Sequence, residues 1–267
     1  MSTGGIPILM YHAVAPHPNE ATHDLSVSPE AFAEQMEVVR ALGCTPLTTS
    51  QLAWHWRQPG RPLPTRPVLI TFDDGYEGVH RHALPALARH GFSSTLFVAT
   101  GWLPGKYDTG GGLDTMLGWD QVRELAAAGT EIGGHSHTHP QLDQLSDDAL
   151  WFELVRCREI LADELGAPPV SFAYPYGYSS RRVRRAVRGA GFGQSLAVGN
   201  GLARRCQGPY ALRRVTVRRS TRIGEFEQLL LGRSIARSFA RDRVLSKGYA
   251  IVRRARQARR KAARPRV

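Results

Sequence analysis

Pro67-Val68-Leu69-Ile70-Thr71-Phe72-Asp73-Asp74-Gly75 is the stretch on which the reading of this chain turns. Its first six residues are a short, β-branched, apolar run that reads as a buried strand, and it ends in two carboxylates and a glycine. Carboxylates at a strand end are poorly placed for a core. An Asx turn that caps the chain at Gly75 would account for the aspartates alone. It would not account for a second word downstream, His135-Ser136-His137-Thr138-His139-Pro140.

A hydrolytic zinc site takes two or three nitrogen or oxygen ligands, keeps an open position, and needs a carboxylate outside the ligand set to accept a proton. Asp73-Asp74 together with His135 and His139 supply all of these. The two histidines are four apart, so on a helical turn they face the same way and can share one ion. His137 then points elsewhere, as a polar supporting residue.

Working outward, Ile6 to Tyr11 reads as a first strand that delivers His12 at its end. Ser28-Pro29-Glu30 starts a helix with Phe32, Met36 and Val39 as its apolar stripe. A short strand near Cys44 to Leu47 and a helix near Ser50 to Trp56 follow. Beyond the aspartates come a helix from Val79 to His90, a strand from Ser94 to Val98, and a glycine-rich stretch, 101 to 118, with the look of an active-site loop. A helix from Trp119 to Ala128 and a brief strand, Thr130 to Ile132, run into the histidine word. A long helix from Ser146 to about Leu165, a strand from Val170 to Tyr174, a basic-faced helix from Ser180 to Ala190, a strand from Phe192 to Val198 and one from Arg213 to Val217 complete the set. This alternation predicts one α/β domain, a parallel barrel or a doubly wound sheet, with Asp73-Asp74, His135, His139, Tyr174-Pro-Tyr-Gly and His12 all just past strand ends.

Thr71-Phe-Asp-Asp-Gly75, His135-Ser-His-Thr-His139 and Phe172-Ala-Tyr-Pro-Tyr-Gly177 resemble, in order and approximate spacing, the signatures of the polysaccharide deacetylases, which remove N-acetyl groups from amino sugars. The resemblance covers roughly residues 6 to 217. It implies a distorted (β/α) barrel with about seven parallel strands, a catalytic base at Asp73, and a divalent ion, zinc or in its place Co2+, Ni2+ or Fe2+, on Asp74, His135 and His139. It also implies an oxyanion held by the backbone N–H at Tyr176. Two features depart from the commoner pattern: Ala173 stands where many members carry an arginine, and the late strand Ser195-Leu-Ala-Val-Gly has no histidine to protonate the leaving amine. The opening Tyr11-His12 resembles the subgroup that includes the poly-N-acetylglucosamine deacetylases, which implies His12 as the general acid; a polar strand cap is the plainer reading. Arg213 and Arg214 can orient Asp73 or bind a substrate anion, although a solvated basic pair is commoner. Trp119 and Tyr107 are candidates for stacking on a sugar face.

The net charge of +12 is uneven. Residues 1 to 231 balance, whereas 232 to 267 hold 13 Lys+Arg against the single Asp242. We therefore expect a catalytic barrel over 1–231 and a basic amphipathic or disordered tail over 232–267. Leu229, Leu230, Leu231, Ile235 and Phe239 at helical spacing beside arginines suit peripheral contact with a membrane, and nucleic acid is the less favoured partner. Cys44, Cys157 and Cys206 are far apart and in no CxxC arrangement, which predicts reduced, buried thiols. The N-terminus carries no basic segment followed by a long apolar one, and no stretch approaches 18 apolar residues, so a cytoplasmic location, if need be at the inner face of the membrane, is expected.

The function expected is metal-dependent de-N-acetylation of an N-acetylated glycan or lipid-linked saccharide. The alternatives are a carbohydrate-binding protein on the same scaffold that has lost turnover, and a nucleic-acid-binding protein acting through the tail.

Overall fold

Parallel strands need a crossover between them, and the alternating apolar runs and amphipathic helices of this chain provide one at nearly every step. The computed structural model describes residues 5–58, 60–240 and 253. Its strands are β1 (Ile8–Tyr11), β2 (Thr45–Pro46), β3 (Pro67–Phe72), β4 (Thr95–Val98), β5 (Glu131–Gly134), β6 (Ser171–Ala173), β7 (Gln194–Val198) and β8 (Leu212–Thr216). All pair in parallel in the order β1-β8-β7-β6-β5-β4-β3, and β1 also pairs with β3, Ile8 opposite Leu69 through Tyr11 opposite Phe72. That last pairing closes a seven-stranded barrel. The short β2 lies outside it, on β3.

Side chains alternate between the two faces of each strand. Ile8, Leu69, Phe97, Ala173, Leu196 and Leu212, from six of the seven strands, meet in one cluster that fills the barrel. Their neighbours Leu9, Tyr11, Val68, Ile70, Phe72, Leu96 and Val98 face outward, against the helices. β5 contributes Gly133 inside, where a Cβ would lie 2.6 Å from the Phe97 ring, so the large phenylalanine requires the glycine opposite it.

The outer layer is α1 (Pro29–Ala41), α2 (Thr49–Arg57), α3 (Leu84–Ala88), α4 (Trp119–Ala127), α5 (Asp147–Leu165), α6 (Arg181–Gly189), α7 (Ile223–Leu230) and α8 (Ile235–Ser238). Ser28 caps α1 by accepting from the Ala31 amide, and Pro29 sits where no intrahelical donor is needed. Where one helix was expected from Val79, there is a π-helical turn, Val79–Ala83, and then α3. Pro85 explains it: without an amide hydrogen it cannot continue the α-type ladder, which widens ahead of it.

Two expectations about packing are corrected. Leu229, Ile235 and Phe239 are buried with Val215 on the outside of β8, so these apolar side chains pack within the protein. Arg253, further along, sets its Nε 3.0 Å from Asp143 Oδ2 and its guanidinium 3.2 Å from the Tyr178 ring centroid. Residues 241–252 and 254–267 of the basic tail lie outside the described residues. Of the three free thiols Cys157 is buried, Cys44 is half-buried, and Cys206 is exposed rather than buried. Among the described residues no helix is long and apolar enough to cross a membrane.

Candidate metal centre and active site

The Asp73 amide still donates to the Tyr11 carbonyl, 3.0 Å away, so Asp73 continues β3 with its side chain on the inner face. The chain then reverses through two left-handed residues, Asp74 (φ 76°) and Gly75 (φ 103°). The turn is a backbone device, and the carboxylates are left free for other partners.

Asp73 is gripped from across the barrel. Arg214 Nη1 and Nη2 lie 2.6 and 2.7 Å from its two oxygens, a bidentate pair with both side chains almost fully buried. The strand period explains this: in β8 Leu212 and Arg214 point inward, whereas Arg213 is exposed and Val215 packs outside. Arg213-Arg214 is therefore not a solvated pair. Arg214 supplies the guanidinium that Ala173 does not. Burial alone would push the Asp73 carboxyl up, but Arg214 and, after it, His135 outweigh burial and hold it below its usual range.

Asp74 Oδ1, His135 Nε2 and His139 Nε2 form a second constellation. Each imidazole nitrogen is 3.3 Å from the carboxylate oxygen, and the three ligand atoms all lie within 4.8 Å of one another. Asp74 Oδ1 is buried and has no hydrogen-bond partner. A buried carboxylate oxygen without a donor is costly, and atoms held about 2.0–2.2 Å from one tetrahedral ion sit roughly 3.3–3.5 Å apart. The donor set and its spacing thus fit a divalent ion. Against the upward push of burial, His135, His12 and His139 hold the Asp74 carboxyl far below its usual range.

The two histidines are prepared differently. His135 Nδ1 lies 2.8 Å from the Ala173 carbonyl, which can only accept, so Nδ1 carries a proton and Nε2 is the atom turned to Asp74. Burial pushes His135 down, but the charges of Asp73 and Asp74 prevail and hold it above its ordinary value. His139 has no partner on its buried Nδ1, and its ring packs at a tilt against Trp102 (centroids 4.5 Å apart) and Tyr176 (4.8 Å). Burial, then His135, pushes His139 down to about 4, leaving it neutral with its lone pair available.

The histidines converge, but not on a helical turn as expected. Residues 135–139 form a loop with left-handed Ser136 (φ 66°) and His139 (φ 59°). His137 faces away as expected, its Nδ1 3.0 Å from Thr100 Oγ1. His12, half-buried just past β1, has a buried Nδ1 without a partner, and its charge is felt at both aspartates. Tyr176 (φ 57°) is 52% exposed beside His139, with Tyr178 stacked on it at 6.1 Å. Tyr107 and Trp119 are not open to a sugar: both are buried, edge to face at 5.9 Å. Trp102, from the 101–118 loop, is the tryptophan at the site, and only its place in that glycine-rich loop hinted at it.

The sequence profile of the polysaccharide deacetylases matches residues 60–194, half of the chain. The chain belongs to the polysaccharide deacetylase family. YxkH of Bacillus subtilis, a protein named for the same family, is 27% identical over 212 residues, covering 79% of this chain and 71% of its own. The poly-β-1,6-N-acetyl-D-glucosamine N-deacetylase of Escherichia coli K12 is 23% identical over 246 residues, and the match spans 78% of this chain but only 36% of that enzyme. Among solved structures, the Streptococcus pyogenes deacetylase PplD superposes with a TM-score of 0.76 at 24% identity, over 86% of this chain and 99% of its own. IcaB from Ammonifex degensii gives 0.69 at 25% identity, over 85% and 97%. The barrel is therefore one that solved deacetylases share.

Proposed function

We propose that this protein is a metal-dependent deacetylase that removes the N-acetyl group from an amino sugar in a glycan or lipid-linked saccharide and releases acetate. The observation that carries the reading is the convergence of Asp74, His135 and His139 on one point, around an orphaned carboxylate oxygen, beside an Asp73 that is ionised and clamped. The name of the Escherichia coli relative makes an N-acetylglucosamine oligomer the first substrate to offer.

Asp74, His135 and His139 would hold the ion; one carboxylate and two imidazoles suit zinc, with Co2+, Ni2+ or Fe2+ as workable replacements. When bound, it supplies Lewis-acid polarisation of the acetamide carbonyl and acidifies water at neutral pH. Asp73 accepts the proton of the attacking water. Arg214 keeps that carboxylate ionised and fixes its plane, since each oxygen retains a lone pair beyond the one that Arg214 uses. The backbone N–H at Tyr176 faces the developing oxyanion. His12 gives its proton to the amine as the C–N bond breaks, so that the products are acetate and a free amino sugar.

The test is acetate release from N-acetylglucosamine oligomers, with and without chelator, together with bound metal in three variants. Asp74→Ala and His139→Ala should reduce bound divalent ion to background, whereas Asp73→Asn keeps the ion and loses turnover. No acetate from any oligomer or lipid-linked glycan, or chelator-resistant release, would refute the proposal. Loss of the ion in Asp73→Asn would refute the division of labour between the aspartates.

A further inference from the structure

The loop that carries His139 is held almost entirely through its backbone. The Ser136 and His137 carbonyls accept from Thr100 (3.3 Å) and Gly101 (2.8 Å), and the His139 amide donates to Ser136 Oγ (3.0 Å). The remaining donors, the amides of His137 and Thr138, both point at one atom, Oε2 of Glu153 on α5, 2.9 and 2.8 Å away. The other carboxylate oxygen, Oε1, accepts from the Thr138 hydroxyl at 2.6 Å. Glu153 is 6% exposed. Successive amides of a turn that passes through a left-handed residue form a concavity that binds anions, and here the anion is supplied by the chain itself.

His139 depends on this loop more than His135 does. The His135 ring is fixed by its own hydrogen bond to Ala173, whereas His139 has no polar partner on Nδ1 and is located by tilted ring contacts and by where the backbone places it. We infer that Glu153 is a positioning residue for the metal centre: its carboxylate fills the anion-binding turn 137–138 and thereby sets His139 against Asp74. This rests on the metal-centre reading above and assigns to α5 a part in the site that lies outside all three sequence words. Without the carboxylate one buried and one partly buried amide lose the partner they have, and the turn has reason to relax toward water.

Two readouts test this in the full chain. In metal-free protein, amide hydrogen exchange at His137 and Thr138 should rise at least tenfold in Glu153→Ala while the β3 and β4 amides keep their protection, which separates a local opening from general instability. Zinc affinity, by competition with a chelating dye, should fall about 10- to 100-fold, the range for removing a group that orients a metal ligand, and kcat should return toward wild type at saturating zinc. Glu153→Gln keeps the shape and one acceptor, so it should lie between wild type and alanine in both readouts. It decides the matter if the alanine variant does not fold. Wild-type zinc affinity and exchange in either folded variant would overturn the inference. A wild-type protein that binds zinc no better than Asp74→Ala would instead refute the metal centre, leaving the exchange result to judge the turn.

Discussion

Replacing Arg214 by methionine removes one charge from an almost fully buried ion pair and keeps a side chain of similar reach. The pair is bidentate at 2.6 and 2.7 Å, with side-chain exposures of 0% for Arg214 and 3% for Asp73, so water cannot stand in for the lost guanidinium. Breaking a buried pair by removing one partner costs about 3–5 kcal/mol. For a domain of this size that is roughly 6–20 °C in Tm at pH 7. The sign with pH follows from Asp73. Its folded carboxyl sits below its ordinary value, so the stability it contributes is present above the unfolded pKa and is lost as pH falls through the folded one. In the variant, burial is no longer opposed by Arg214, so the Asp73 carboxyl rises. The stability gap between the two proteins should therefore be widest near neutrality and narrow in acid, where Asp73 of the variant takes a proton. On the proposed mechanism the acid limb of kcat/KM moves up with it. The assay is acetate release between pH 4 and 9 at saturating metal, beside melting curves at the same pH values. An acid limb that stays in place with an unchanged Tm would show that Arg214 neither keeps Asp73 ionised nor holds the barrel mouth.

Two further outcomes are expected. His12→Ala should keep its metal, bind substrate nearly normally and lose roughly 10²–10⁴ in kcat together with the alkaline limb of the pH profile; an intact alkaline limb would make His12 a strand cap only. A chain ending at Leu231 gives up the buried side chains of Ile235 and Phe239, about 3–6 kcal/mol at 1.5–3 kcal/mol each, whereas one ending at Ala240 keeps both and should melt well above it. Equal melting temperatures for the two truncations would place the end of the folded unit at Leu231.

The residues that were legible beforehand are those whose type and spacing are dictated by chemistry. Asp73-Asp74-Gly75 at the end of an apolar run and His135 with His139 need no partner to be read, because a candidate ligand set stands out by residue type and spacing, and the fold brings Asp74, His135 and His139 together. The strands were legible for the same reason, each being a short apolar run closed by a turn. What failed were contacts made by residues distant in the chain. Arg214 looked like half of a basic pair because adjacent residues were read together; the two-residue period of a strand separates it from Arg213. Trp119 and Tyr107 read as sugar platforms until packing turned them on each other, and Leu229, Ile235 and Phe239 read as a membrane stripe until β8 was found beneath them. Glu153 gave no signal, since a glutamate within a helix is ordinary until the turn it supports is known.

The barrel also explains how two adjacent aspartates come to differ. Both are buried, so each needs a compensating positive group. Asp73 lies on the inner face of β3, the face that Arg214 reaches across the barrel, and both of its oxygens are taken. Asp74 lies past the reversal, out of reach of that guanidinium, and its Oδ1 is left without a donor next to two imidazole nitrogens. The carboxylate that already has a cation is suited to exchange a proton, and the one that lacks a cation is suited to hold a metal. Two ionised aspartates and one arginine leave the mouth with a net charge of minus one, which a divalent ion converts to plus one. Attack of water on a neutral acetamide, with Asp73 taking the proton, conserves that total: the negative charge passes from Asp73 to the developing oxyanion, which the bound ion would stabilise.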